Sequence, residues 1–99
     1  MPNKKYTSIT ITKSDRDKKF KAVLRGLKVK KTIHFGAKGM SDFTIHKDKE
    51  RKKRYLARHK VNENWNVPDT AGSLSRWILW NKPSFTASFN DYKNKFNLR

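Results

Sequence analysis

Hydrophobic and polar positions follow two different periods along this chain. From Tyr6 to Thr12, Ile9 and Ile11 alternate with Ser8, Thr10 and Thr12, the period-two pattern of a half-buried strand. The polar run Lys13-Ser14-Asp15-Arg16-Asp17 reads as a turn. Phe20, Ala22 and Leu24 then alternate with Lys21, Val23 and Arg25, a second strand returning antiparallel. Gly26 supplies another turn, and Leu27, Val29 and Ile33 with Lys28 and Lys30 predict a third strand ending near Phe35. Such a three-stranded meander needs helices on one face to be stable.

After Gly36 and Gly39 the period lengthens. Ser41, Asp42 or Thr44 can cap a helix N-terminus, and the segment to Lys60 reads as helical, with Asp48 before Lys52 and Glu50 before Arg54 at i,i+4. Its apolar edge (Ile45, Tyr55, Leu56, His59) is narrow, so most of that helix stays wet. Asn62 to Pro68 is a connector. A second helix is predicted from about Asp69 or Thr70 through Leu74, Trp77 and Ile78, ending before Pro83. Ser84 caps a third, in which Phe85, Phe89, Tyr92 and Phe96 form one aromatic stripe. The expected architecture is α+β: an antiparallel meander over about 5–35, then three helices over about 44–60, 70–81 and 84–96, in one domain of residues 1–99.

Charge changes this picture from a generic small fold to a polyanion binder. The chain has 25 Lys plus Arg against 8 Asp plus Glu, a formal net charge of +17 on 99 residues. A surface of that sign raises encounter rates with nucleic acid or an anionic membrane. The aromatic content of 12% argues for a folded module rather than a solvated basic tail. With no Cys, disulfides, cysteine zinc sites and thiol catalysis are all excluded. The start lacks the apolar stretch of a signal peptide and no run approaches a membrane span, so a soluble, intracellular chain is expected.

Four constellations are candidates for function. The first is the basic helix: between Lys47 and Lys60 stand eight cations (Lys47, Lys49, Arg51, Lys52, Lys53, Arg54, Arg58, Lys60) against Asp48 and Glu50. A helix so charged can lie along a phosphate backbone, releasing counterions at each contact, or can simply be a solvated face. Lys18, Lys19, Lys21, Arg25, Lys28, Lys30, Lys31 and Lys38 extend the excess through the sheet, which favours binding. Nothing fixes base-edge contacts, so sequence-independent binding is expected.

The second is Gly36-Ala37-Lys38-Gly39, whose backbone N–H groups and Lys38 ammonium suit a phosphate. It matches the GXXG string of KH domains but follows a strand instead of joining two helices. It is no Walker A motif, since no Gly-Lys-Ser/Thr follows, and a turn needing positive φ explains the glycines equally well. Third, His34, His46 and His59 with Asp42, Asp48 and Glu50 match neither a metal helix nor a Ser/His/Asp order; a small nucleic-acid-processing enzyme would need His46, Asp42 and Asp48 to converge. No metal, cofactor or catalytic residue is therefore expected. Fourth, Trp65 in its polar connector is either a stacking platform for a base, a partner anchor or a packing residue. Trp77 and Trp80 belong to the core, Trp80 with part of its ring exposed.

The stretch His34-Phe35-Gly36-Ala37-Lys38-Gly39-Met40-Ser41-Asp42-Phe43-Thr44-Ile45-His46-Lys47-Asp48, continuing to Arg54-Tyr55-Leu56-Ala57-Arg58-His59, resembles an uncharacterised family of small basic proteins encoded by large nucleocytoplasmic DNA viruses of algae and protists. Ala71-Gly72-Ser73-Leu74-Ser75-Arg76-Trp77-Ile78-Leu79-Trp80-Asn81-Lys82 resembles that family's second block. The resemblance implies a viral setting, in the virion and the infected cell, and supplies no catalytic residues. The expectation is a non-enzymatic virion protein contacting nucleic acid, DNA rather than RNA, through Lys38, Lys47, Lys49, Arg51, Lys52, Lys53, Arg54, Arg58, Lys60 and Trp65. The alternative is a minor capsid protein that binds other capsid or core proteins, with Trp65, Trp80 and exposed aromatics as its anchors. Weak membrane-surface binding is disfavoured because the basic helix lacks a broad apolar face.

Overall fold

A computed structural model describes residues 5–99. Strands β1 (Ser8–Lys13), β2 (Lys18–Arg25) and β3 (Lys30–Ala37) form one antiparallel sheet in the order β1-β2-β3. Four α-helices follow: α1 (Phe43–His46), α2 (Lys49–Lys60), α3 (Ala71–Leu74), which runs on into a π-helical turn Ser75–Leu79, and α4 (Phe85–Lys95). The fold is α+β, as the two periods predict.

Register explains the core. Ile9 pairs with Leu24, Ile11 with Ala22, and Phe20 with Phe35, so one face of the sheet is apolar at its centre, with Lys13, Lys18 and Lys31 at its margins. Leu74, Ile78 and Leu79 from the α3–π segment, with Tyr92 and Phe96 from α4, cover that face and are buried with Ile9, Ala22, Leu24 and Phe35. Burial of each large side chain contributes about 1.5–3 kcal/mol relative to its exposed state. The aromatic stripe of α4 packs as expected, with Tyr92 and Phe96 fully inside and Phe85 and Phe89 at the margin. Tyr92 Oη donates to the Pro68 carbonyl at 2.8 Å, tying α4 to the connector. The chain's end closes on its beginning: Ile9 N–H donates to the Arg99 carbonyl and Arg99 N–H to Thr7, at 3.0 Å each, covering part of the β1 edge.

Three expectations need correction. The third strand starts at Lys30; Leu27 and Val29 lie in the hairpin turn, closed by Gly26 N–H donating to the Val29 carbonyl, and Leu27 is 93% exposed. The expected helix over 44–60 is two helices, because Lys47 adopts a left-handed conformation (φ 57°) and Asp48 restarts the chain. The Asp48 carboxylate accepts from the N–H of Glu50 and Arg51, so it serves as a cap and not as a partner of Lys52. The expected helix over 70–81 begins α-helically behind Thr70, whose hydroxyl accepts from Ser73 N–H, and then widens: Trp80 N–H donates to the Ser75 carbonyl, five residues back.

Candidate nucleic-acid interface

The basic helix α2 is built for stability at its ends and charge along its sides. Asp48 caps the first turn, Glu50 complements the positive end of the helix dipole, and Arg58, His59 and Lys60 complement the negative end. Apart from Tyr55 and His59, its interior residues are Lys, Arg, Leu and Ala57, all good helix formers. One side chain, Tyr55, anchors it: at 8% exposure it stacks on Trp80 with ring centres 4.2 Å apart and planes 4° from parallel. His59 stacks on the other side of Tyr55 at 4.1 Å.

Arg51, Arg54 and Arg58 recur at i, i+3 and i+7 and fall on the same side of the helix as Tyr55. That side faces a cleft of about 520 Å³. The opposite wall carries Lys18 and Lys19 of β2 and His34 of β3, and the floor is Gly36, Ser75, Leu79 and Trp80. All three arginines are exposed. Among the described residues, no Lys or Arg of α2 lies within ion-pair distance of a carboxylate. The cleft's two acids are already engaged. Asp42 accepts from Thr44 N–H and pairs with Lys19 Nζ at 2.7 Å, with both side chains largely buried. Glu63 holds His59 Nδ1 at 2.7 Å through one oxygen and Trp65 Nε1 at 2.8 Å through the other. Its negative charge and, above all, burial push the Tyr55 phenol up to about 12 against opposing effects of Arg76, Ser75 and Arg58. The result is a cationic cleft with a protonated, uncharged Tyr55 phenol at neutral pH.

Gly36 shapes the floor. It has φ 85°, and a Cβ there would stand 3.0 Å from Leu79 Cδ1 and 3.1 Å from Lys19 Cβ. Both the conformation and the close approach require glycine. Gly39, φ 80° with open space around it, answers only to the turn closed by Met40 N–H donating to the Ala37 carbonyl. The Gly36–Gly39 motif is thus the end of a strand and a tight turn. Lys38 is exposed there and does not line the cleft.

The remaining sequence candidates separate. Lys49, Lys52 and Lys53 line a different groove on the far side of α2, and Lys47 and Lys60 are exposed at its two ends. Trp65 is half-buried, fixed by its bond to Glu63, by Trp77 Nε1 donating to its carbonyl at 2.8 Å, and by the Arg76 guanidinium 5.3 Å from its ring centre. These contacts give it a packing role, not that of an unattached platform. Asp42 and Asp48 cap consecutive helices, while His46 Nδ1 accepts from Asp48 N–H, so this trio holds the α1–α2 junction. Only Asp42 of the three reaches the cleft. Tyr55 and Glu63 were not among the expected site residues; His59 stood only in the histidine and acid set, and Trp80 only as a partner anchor. The spacing of Tyr55 and His59 beside three arginines carried a signal; Trp80 arrives only through the π-turn.

The fold and cleft define a small basic α+β domain with an arginine-walled cleft. Residues 9–59 match a family of unknown function (DUF5754), and the chain belongs to that family. The matched span runs from β1 through nearly all of α2, so it includes both basic walls of the cleft. No curated protein and no solved structure matches the chain. No helix among the described residues is long and apolar enough to cross a membrane.

Proposed function

We propose that this chain is a non-enzymatic, sequence-independent nucleic-acid-binding protein that holds phosphate groups in the cleft beside α2. The observation that carries the reading is the arginine row: three exposed guanidiniums without carboxylate partners, facing Lys18 and Lys19 across a cleft, in a chain of net charge +17. A guanidinium presents a planar fork that matches two phosphate oxygens, and each phosphate neutralised releases counterions. Contacts of this kind fix position without reading sequence. The Trp80–Tyr55–His59 stack supports the reading by holding the helix, and with it the arginine row, against the domain. The resemblance to proteins of large DNA viruses gives the proposed setting, a virion component whose polyanion is DNA.

The test compares two variants of equal charge by fluorescence anisotropy with a labelled single strand and a labelled duplex. Arg51→Gln/Arg54→Gln/Arg58→Gln is expected to weaken binding by about 10- to 100-fold at roughly 0.1 M salt, as loss of three phosphate contacts requires. Arg25→Gln/Lys28→Gln/Lys30→Gln, at the hairpin end of β2 and β3 and outside the cleft lining, is expected to weaken it by about threefold or less. Equal losses in the two would mean that net charge acts without a site.

A further inference from the structure

α2 sorts its cations by type. Arginines face the cleft; the other side presents Lys49, Lys52 and Lys53 to a groove of about 510 Å³, completed by Phe43 of α1, Leu56, and Asn81, Lys82 and Pro83 beyond the π-turn. No carboxylate lines this groove, and among the described residues none of its four lysines is in an ion pair. Lys52 is drawn partly out of water: its Nζ donates to the Asn81 carbonyl at 2.6 Å and lies 4.9 Å from the Phe43 ring centre. Burial, with the charges of Arg76, Lys82 and Lys49, holds its ammonium below the usual lysine range. Concentrated positive charge beside an apolar floor of Phe43, Leu56 and Pro83 fits a ligand that is anionic and apolar at once.

Two polyanions fit poorly. The groove has no arginine fork for phosphate. Phe43 is 4% exposed and Lys52 lies over its ring, so no base can stack there. A lipid surface needs apolar residues projecting around the charges, yet the exposed large hydrophobics, Leu27, Val29, Met40, Ile45 and Val61, all lie outside the groove. An acidic peptide has both parts, carboxylates for the lysines and a side chain for the floor.

We propose that this groove docks an acidic segment of a partner protein, with one apolar side chain seated between Leu56 and Pro83, beside the Lys52-covered Phe43, and flanking carboxylates on Lys49, Lys53 and Lys82. The site is separate from the arginine cleft and stands whether or not that cleft takes nucleic acid. The probe is a fluorescein-labelled peptide of alternating Asp and Glu around a central Leu-Phe pair, titrated with the full chain. A peptide of equal charge with Ser-Gln at the centre is expected to bind about tenfold more weakly, and Lys53→Gln/Lys82→Gln, both at exposed positions, to lose about tenfold for the Leu-Phe peptide. The equal-charge control Lys28→Gln/Lys30→Gln is expected to lose about twofold or less, with circular dichroism confirming that every variant folds. Equal affinity for the two peptides, or equal loss in the two variants, overturns the proposal. So does binding to phosphatidylserine vesicles that exceeds peptide binding and is lost in Lys53→Gln/Lys82→Gln.

Discussion

Asp42 carries more of the structure than its position in a basic loop implies. Its carboxylate caps α1 through Thr44 N–H and also balances Lys19, whose side chain is only 15% exposed. Replacing one partner of a buried pair leaves the other charge uncompensated, which costs far more than the pair itself contributes. Asp42→Ala is therefore expected to destabilise the fold by about 3–5 kcal/mol, read as a shift in the urea midpoint. A Lys19→Met/Asp42→Ala double variant should recover part of that loss, since it removes the orphaned charge. A double variant no more stable than Asp42→Ala would show that the cap, not the charge, dominates. Gly36 is a similar case of one residue with two duties, a positive φ and a contact too close for a Cβ.

At the level of elements, the helices are fastened by buried tyrosines. Tyr55 on α2 and Tyr92 on α4 have phenols raised above the ordinary value of 10.0, chiefly by burial; Tyr6, bonded to Asp69, is raised as well. A folded pKa above the unfolded one contributes stability that is fully present below pH 10 and is lost as pH rises through the folded value, about 12 for Tyr55. The three tyrosines of the chain should therefore show much less tyrosinate absorbance than the urea-denatured chain at the pH where the latter is half ionised. Overlapping native and denatured titrations would contradict this packing. Some of it was legible in the sequence. Period-two alternation located β1 and β2, and the Phe85–Phe96 stripe located α4, because in each case one face alone meets the core. The break at Lys47 was not legible: lysine gives no sign of a left-handed conformation, and Asp48 looks the same as a helix cap or as an i,i+4 partner. Nor was the π-turn, since widening by one residue leaves the apolar spacing of Leu74, Ile78 and Leu79 intact. The cleft was half visible for the same reason. Its arginine row is a helical spacing, whereas Lys18, His34 and Trp80 join it only through tertiary contacts.

For the whole molecule, the charge of +17 is distributed with purpose on α2: guanidiniums beside a cleft, ammoniums beside an apolar groove. Under the two proposals, one helix links a polyanion on one side to a protein partner on the other. That arrangement suits a component lying between a genome and its surroundings. The measurement that bears most directly on the central claim is a salt titration of nucleic-acid affinity for the native chain and for Arg51→Gln/Arg54→Gln/Arg58→Gln. With the three arginines and several lysines on phosphate, the native chain should show a log–log slope of about −3 or steeper on a single strand, and the variant a slope shallower by about 2. A slope near zero, or one that the triple substitution leaves unchanged, would contradict the assignment of the arginine cleft as the phosphate-binding site.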